Sequence, residues 1–280
     1  MFHHVAHLLL EAARNPGWFS ARLATRARMP LWLRATLGEL LPPWRGTSRF
    51  RSAYVVTYGR SGSTLVTGYL SRLPGFDIRG ENYLFPLPLA DAEARLADAV
   101  ALRYSGRELP ASPWYGSQQL STIQWKRDIR RALLNQLYPK QPIPKTIGFK
   151  EIRWWYRMDD TDFEQKLQWL ISVRKPGAIV FLTRDLDRTM AGAWWAEQSE
   201  EERAESREGL EKFEEMALAY AAAHPDHSIH ITYEEFAADP ASAQRLCALL
   251  GVQFREDVYR ATLATRYSYR SKPTDDEDRA

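Results

Sequence analysis

Short apolar runs alternate along this chain with longer segments whose apolar residues recur every three or four positions. Such runs are typical of strands buried on both faces of a parallel sheet, and the clearest lies at 178–183. The runs predict strands at 53–58, 76–81, 147–153, 178–183 and 227–232. The helical spacing predicts helices at 63–72, 161–174, 187–198, 205–223 and 240–250. This alternation predicts a three-layer α/β fold with a central, mainly parallel sheet flanked by helices.

The two ends of the chain differ in composition from the middle. Residues 1–50 contain seven arginines, no lysine and two glutamates, in a helical pattern that prolines interrupt. They are predicted to form a basic helical extension, which either packs on the main domain or contacts an anionic membrane or a partner. Residues 273–280 form an acidic tail, so the main domain is expected at 51–272.

Composition also excludes several classes of function. The formal net charge of +3 is too small to indicate a nucleic-acid partner. The one cysteine, Cys247, argues against a disulfide framework or a cysteine-rich metal site and favours a reduced, cytoplasmic location. The apolar run at 8–10 is too short for a membrane span and lacks the basic region that precedes the apolar core of a signal peptide.

The first predicted strand turns sharply at Gly59–Thr64 and opens a helix. Unpaired N–H groups at a helix start, together with the helix dipole, make such a turn a binding site for anions. The glycines Gly59 and Gly62 allow a positive φ and a close approach of the backbone to a ligand. An ordinary strand–helix turn with a Ser or Thr cap is the alternative. The side-chain donors that the turn offers to a phosphate are Arg60, Ser61, Ser63 and Thr64.

Polar residues follow other predicted strands as well. Glu81, Lys150 and Arg184 each lie at or near the carboxyl end of a strand. Because ligands of α/β sheets bind at that edge, we expect these residues and the turn to converge on one site.

The turn does not match the commonest phosphate loop, G-x-x-x-x-G-K-[ST]. It has no lysine, and its glycines are too close together. Nucleotide kinases also need a metal to bridge their phosphates, and no apolar run ends in a clear aspartate ligand for Mg²⁺. A phosphate or sulfate ester that is held without a metal is therefore favoured over a nucleoside triphosphate.

Six segments together resemble the sulfotransferases that use 3′-phosphoadenosine 5′-phosphosulfate (PAPS), which have a P-loop-like fold. The chain is similar to the branch that contains tyrosylprotein and bacterial carbohydrate sulfotransferases, from about residue 53 to residue 270. The segments are Gly59–Leu65, Arg79–Glu81, Phe149–Glu151, Phe181–Asp185, Thr232–Phe236 with Asp239-Pro240, and Leu249–Val252.

The resemblance implies a set of residues that bind the nucleotide. Arg60, Ser61, Gly62, Ser63 and Thr64 would hold the 5′-phosphosulfate, and Arg184 the 3′-phosphate. The remaining contacts would come from Tyr233, Ser268, Arg270 and Lys272. The family usually has a serine eight residues after the arginine, where this chain has Gly192, so Thr189 or Arg188 would have to compensate.

The catalytic base differs between branches of the family. Cytosolic members use a histidine, but no histidine here follows a strand in the first half of the main domain. Glu81 in Arg-Gly-Glu resembles the catalytic glutamate of the tyrosylprotein branch, and Lys150 would stabilise charge at the bridging oxygen. The alternatives are a glutamate at a helix N-terminus and a surface lysine on an edge strand.

These observations predict a sulfotransferase that uses PAPS as co-substrate, needs no metal, and modifies a hydroxyl of a small molecule or glycan. A carbohydrate or glycolipid is the expected acceptor, since the basic residues 1–50 would sit at a membrane face. There are two alternatives, a P-loop kinase or NTPase and a non-catalytic nucleotide-binding module. The non-catalytic module stays open because Gly192 stands where the family usually has a serine.

Overall fold

A computed structural model describes residues 48–101, 110, 115–139, 143–156 and 159–265. All of them belong to one compact unit of the chain, Gly46–Ala280. The predicted extension up to residue 47, the acidic tail and the three predicted nucleotide contacts Ser268, Arg270 and Lys272 lie outside the described residues. Among the residues described, no helix is long and apolar enough to cross a membrane.

A five-stranded parallel sheet forms the centre of the described structure. Its strands are β1 (Ser52–Thr57), β2 (Phe76–Arg79), β3 (Thr146–Glu151), β4 (Gly177–Thr183) and β5 (Ser228–Thr232). They lie in the order β2-β3-β1-β4-β5. The connection from β1 to β2 passes over β3, and the connection from β3 to β4 passes over β1, so β1 and β3 are interior strands.

Helices connect the strands and cover both faces of the sheet, as expected for parallel pairing. They are α1 (Ser63–Arg72), α2 (Pro88–Ala101), α3 (Thr122–Leu137), α4 (Asp160–Val173), α5 (Leu186–Met190), α6 (Glu200–Ala223), α7 (Tyr233–Ala238), α8 (Pro240–Leu250) and α9 (Glu256–Ala264). Single turns of 3₁₀ helix lie at Ser117–Gln119 and Ala193–Trp195.

Alternate residues of the interior strands fill two separate cores. In β4, Phe181 packs among residues of α4 and α6, whereas Val180 packs among residues of α1 and α8. Both side chains are completely buried, which explains why the run at 178–182 in β4 is apolar. The predicted three-layer α/β fold with a mainly parallel sheet, of the P-loop-like type, is confirmed.

The helix predicted at 187–198 is wrong beyond its first turn. Helix α5 ends at Met190, and the chain continues through Gly192 into the 3₁₀ turn Ala193–Trp195. Trp195 is almost completely buried, and its indole N–H donates to the carbonyl oxygen of Gly59 at 3.2 Å. This long-range contact needs the chain to leave the helix, so tertiary packing overrides the local helical pattern.

Candidate active site

The turn between β1 and α1 contains two residues in the left-handed region. Arg60 has a φ of 69° and Gly62 a φ of 80°. Gly62 is the N-cap residue of α1, and no side-chain hydrogen bond caps the helix among the described residues. The alternative of a Ser or Thr cap is therefore wrong. In the first turn of α1 the N–H of Leu65 donates to the carbonyl oxygen of Gly62 at 2.9 Å, which leaves the N–H groups of Ser63 and Thr64 to bind a ligand with negative charge.

The hydroxyls of the turn differ in exposure. Ser61 is completely buried, and its Oγ lies 2.7 Å from Oγ1 of Thr57, which also lies 2.6 Å from the carbonyl oxygen of Leu182. Since a carbonyl oxygen can only accept, Thr57 donates to Leu182 and Ser61 donates to Thr57. Ser63 is buried at the first position of α1, whereas Thr64 is exposed. Ser61 thus fixes the turn to the sheet, and Thr64 faces solvent.

Aromatic rings pack directly on both glycines of the turn. A Cβ atom at Gly59 would lie 2.4 Å from Cζ2 of Trp194, and one at Gly62 would lie 2.2 Å from Cδ2 of Tyr233. Glycine is therefore required at both positions for steric reasons, and at Gly62 also for its positive φ. Tyr233 begins α7, so the structure brings the carboxyl end of β5 to the turn.

Arg184 lies at the carboxyl end of β4, next to the turn. Its NH1 group donates to the carbonyl oxygen of Arg60 at 3.1 Å, and its guanidinium carbon lies 4.6 Å from the ring centre of Tyr233. Its Nε is buried without a hydrogen-bond partner among the described residues, 3.9 Å from an equally unpartnered Oε1 of Glu234. A buried N–H of this kind would be satisfied by an anionic ligand.

The hydroxyl of Tyr58 holds the backbone of Arg184, and Glu214 in turn contacts that hydroxyl. The hydroxyl of Tyr58 accepts a hydrogen bond from the Arg184 N–H at 2.8 Å and lies 2.6 Å from Oε1 of Glu214. Burial raises the pKa of Glu214, and the nearby carboxylates of Glu211 and Asp185 raise it further, against the lowering effect of the Tyr58 hydrogen bond. Tyr58 immediately precedes Gly59, so this contact fixes Arg184 relative to the turn.

Glu81 and Lys150 form an ion pair at the carboxyl edge of the sheet. The Nζ atom of Lys150 lies 2.6 Å from Oε1 of Glu81, and NH1 of Arg153 lies 3.4 Å from Oε2. Lys150 is 8% exposed on the interior strand β3, so the alternative of a surface lysine on an edge strand is wrong. Glu81 lies in the loop after β2, and α2 begins only at Pro88, so the alternative of a glutamate at a helix start is wrong too.

Arg153 connects this ion pair to the turn. Its backbone forms an isolated antiparallel bridge with Tyr58, the residue before Gly59. Partial burial lowers the pKa of Arg153, but the hydrogen bond and charge of Glu151 and the charge of Glu81 raise it above its ordinary value. Arg153 therefore stays a cation between the turn at Gly59–Thr64 and Glu81.

The surroundings of Gly192 leave room for a side chain. A Cβ atom there would lie 3.9 Å from the carbonyl oxygen of Thr189 and 4.0 Å from Nε of Arg60. Thr189 is completely buried with its Oγ1 unpartnered among the described residues, whereas Arg188 is exposed on the outside of α5. That Thr189 or Arg188 takes the place of the missing serine at the 3′-phosphate therefore stays a prediction.

Sequence reasoning missed the supporting residues Tyr58, Glu151 and Glu214. Glu151 is a completely buried carboxylate next to Lys150. A charged residue inside an apolar strand pattern was the signal that could have identified it. Glu214 lies on one face of a long charged helix and had no such signal. Among the residues that the structure describes, no group of three or more His, Cys, Asp or Glu side chains is arranged to hold a metal ion.

Fold and site together define an α/β protein with an uncapped strand–helix turn and a carboxylate–ammonium pair at one sheet edge. A family model described as "Sulfotransferase family" matches residues 53–256. The chain therefore belongs to the sulfotransferase family and is a transferase. The match does not distinguish branches of the family, so the tyrosylprotein and carbohydrate branch stays a prediction.

Two solved structures are similar to the chain. The sulfotransferase domain from the Synechococcus PCC 7002 olefin synthase has 18% sequence identity and a TM-score of 0.44, and the match covers 78% of each chain. The sulfotransferase domain from the curacin biosynthetic pathway has 16% identity and a TM-score of 0.44, with 78% of this chain and 77% of that chain covered. No curated protein matches the chain.

Proposed function

We propose that this sulfotransferase moves the sulfuryl group of PAPS to a hydroxyl group of an acceptor and releases 3′-phosphoadenosine 5′-phosphate (PAP). The observation that carries the proposal is the 2.6 Å ion pair between Glu81 and Lys150, which Arg153 joins to the anion-binding turn. A carboxylate base beside an anion site is what transfer from a phosphosulfate to a hydroxyl requires.

The residues of the turn, together with Arg184 and Tyr233 beside it, fit both phosphate groups of PAPS. The uncapped start of α1, with Arg60 and the hydroxyls of Ser63 and Thr64, suits the 5′-phosphosulfate. Arg184 suits the 3′-phosphate, because its buried Nε has no hydrogen-bond partner among the described residues. The ring of Tyr233 lies against Gly62 and beneath Arg184, which supports its assignment to the nucleotide site.

Glu81 and Lys150 have complementary roles in the proposed reaction. Glu81 removes the proton of the acceptor hydroxyl as its oxygen forms a bond to sulfur. The bond between sulfur and the bridging oxygen breaks, and its electron pair stays on the phosphate of PAP. Lys150 donates a hydrogen bond to that bridging oxygen, and the N–H groups at the start of α1 stabilise the phosphate that leaves. None of these steps needs a metal ion.

We also propose a carbohydrate or glycolipid as acceptor. Exposed aromatic rings border the site: Trp194 is 47% exposed beside Gly59, and Tyr83 is 77% exposed over the guanidinium of Arg153. Flat rings with one face open to solvent can stack on the apolar face of a sugar. A cytoplasmic location with membrane contact through residues 1–50 is part of the same proposal.

A transfer assay with sulfur-labelled PAPS tests this function. The acceptor panel contains methyl glycosides, galactosylceramide vesicles, a tyrosine-containing peptide and an aliphatic alcohol. Transfer to a glycoside or the glycolipid is expected, and transfer to the peptide alone would contradict the acceptor class. Absence of transfer to any member, with ATP hydrolysis instead, would favour the kinase or NTPase alternative.

Substitution of the proposed base gives a sharper test. Glu81→Gln should lower kcat by about 10²- to 10⁴-fold, the usual contribution of a general base, and leave PAP affinity nearly unchanged. Asp77→Asn is the matched control, because Asp77 lies on β2 and, among the residues that the structure describes, forms its ion pair with the exposed Arg79. A fully active Glu81→Gln protein would remove Glu81 from the mechanism.

A further inference from the structure

Glu151 is a buried carboxylate whose two oxygens are both fully engaged. Its Oε2 accepts from the backbone N–H groups of Asn82 at 3.1 Å and of Leu84 at 3.0 Å. Its Oε1 accepts from the N–H of Ile152 at 2.9 Å and from NH1 of Arg153 at 2.7 Å. One side chain of β3 thus holds the loop that follows β2 and the arginine that contacts Glu81.

The loop that Glu151 holds has an unfavourable backbone. Tyr83 and Leu84 are consecutive residues with φ values of 62° and 56°, in the left-handed region that residues with a Cβ atom rarely adopt. The two N–H groups that bind Oε2 lie on either side of Tyr83. Strained backbone of this kind persists only where the surroundings enforce it, and the Glu151 carboxylate supplies that enforcement.

We infer that Glu151 is a positioning residue for catalysis: it fixes the 82–84 loop and Arg153, and through both of them the carboxylate of Glu81. Glu81 directly precedes the held loop, and its Oε2 lies 3.4 Å from the same NH1 group of Arg153 that binds Glu151. This inference rests on the proposed function, in which Glu81 is the base.

Glu151→Gln is the informative variant, because it keeps the shape of the side chain. A carboxamide has one acceptor oxygen and an NH₂ group that cannot accept, so it must lose either the loop contacts or the Ile152 and Arg153 contacts. Thr146→Val is the matched control. Thr146 is completely buried on the same strand, and its hydroxyl donates to the carbonyl oxygen of Phe50 at the other end of β3.

Four measurements on the full chain separate positioning from a structural role. They are the free energy of unfolding, PAP affinity by calorimetry, kcat with PAPS and the best acceptor of the panel, and hydrogen exchange of the loop amides. In Glu151→Gln we expect kcat to fall about 10- to 100-fold while PAP affinity changes by less than about twofold. The amides of Asn82 and Leu84 should also exchange faster. In Thr146→Val, stability should fall while kcat and loop exchange stay as in the wild type.

The results that would overturn the role of Glu151 differ from the result that would overturn the proposed function. Unchanged exchange and unchanged kcat in Glu151→Gln would overturn the inference, and so would a loss of PAP affinity equal to the loss of kcat. Faster exchange with full kcat would overturn the positioning role and leave the proposed function intact. No sulfate transfer by the wild-type protein would overturn the proposed function, and with it the role of Glu151 in turnover.

Discussion

The ammonium nitrogen of Lys150 lies 2.6 Å from Oε1 of Glu81, although the two residues belong to different segments of the chain. Lys150 comes from the interior strand β3, and Glu81 comes from the loop after its neighbour β2. Lys150 is nearly buried, so its charge is only weakly screened by water. In the proposed reaction this pair supplies the base and a cation to one reacting centre.

Lys150→Met should lower kcat by about 10²- to 10³-fold, because it removes a hydrogen bond that forms to developing charge in the transition state. PAP affinity, measured by calorimetry, should change much less. Lys145→Met is the control, since Lys145 is exposed and directly precedes β3. Equal losses of kcat in the two variants would contradict a specific role for Lys150.

Gly62→Ala should weaken PAP binding by about tenfold or more, because the new Cβ atom would lie 2.2 Å from the ring of Tyr233 and displace it. Gly75→Ala separates this effect from backbone strain. Gly75 has the same φ of 80°, but within 4 Å its Cβ atom would meet, in the described part of the chain, just Cβ of Lys145 at 3.7 Å. Gly75→Ala should therefore lower stability by about 1 kcal/mol and keep PAP affinity. Similar PAP affinities for both variants would exclude a nucleotide site at Gly62.

Gly192→Ser should fold normally and bind PAP about two- to tenfold more tightly, the effect of one added hydrogen bond. The structure has room for the serine, because its Cβ atom would lie 4.0 Å from Nε of Arg60. Gly192→Ala adds the Cβ atom without the hydroxyl and should leave PAP affinity unchanged. A serine variant that binds PAP no better than the alanine variant would place the 3′-phosphate elsewhere.

Glu214→Gln tests the role of Glu214, which supports Arg184 through Tyr58. The quantity to measure is the pH dependence of the free energy of unfolding. Burial raises the pKa of Glu214 in the folded protein above its ordinary value of 4.5. The stability contributed by Glu214 is therefore fully present below pH 4.5 and is lost as the pH rises through the raised pKa. A glutamine can still accept from Tyr58 and does not ionise, so it avoids this loss.

Urea denaturation at two pH values measures this effect. Relative to the wild type, the free energy of unfolding of Glu214→Gln should be higher at about pH 8 than at about pH 4, by less than about 1 kcal/mol because the group is only half-buried. A difference between the two proteins that is the same at both pH values would contradict the raised pKa.

The strands and the glycine-containing turn between β1 and α1 could be predicted because their signals are local. A strand that is buried on both faces needs an unbroken apolar run, as at 178–183, and a turn that a ring packs against needs glycine, as at Gly62. The carboxyl ends of parallel strands meet at one edge, so the contact between Glu81 and Lys150 followed from the fold class.

The missed features depend on contacts between distant parts of the chain. Glu151 binds the N–H of Asn82 across 69 positions of sequence, and no local pattern specifies such a bond. Trp195 ends the predicted helix because its side chain reaches Gly59, 136 positions away. The sequence carries little information on which buried polar group will bind which backbone N–H group. These groups meet only when the strands have taken their order in the sheet.

Calorimetric titration of the wild-type protein with PAP and with ATP, each with and without Mg²⁺, decides whether the site binds a 3′-phosphorylated nucleotide. PAP carries the 3′-phosphate that Arg184 is proposed to bind, and ATP lacks it. We expect PAP to bind at least about tenfold more tightly than ATP, as for one added charged contact, and Mg²⁺ to leave the affinity for PAP unchanged. Tighter binding of ATP than of PAP, dependent on Mg²⁺, would contradict the proposed function.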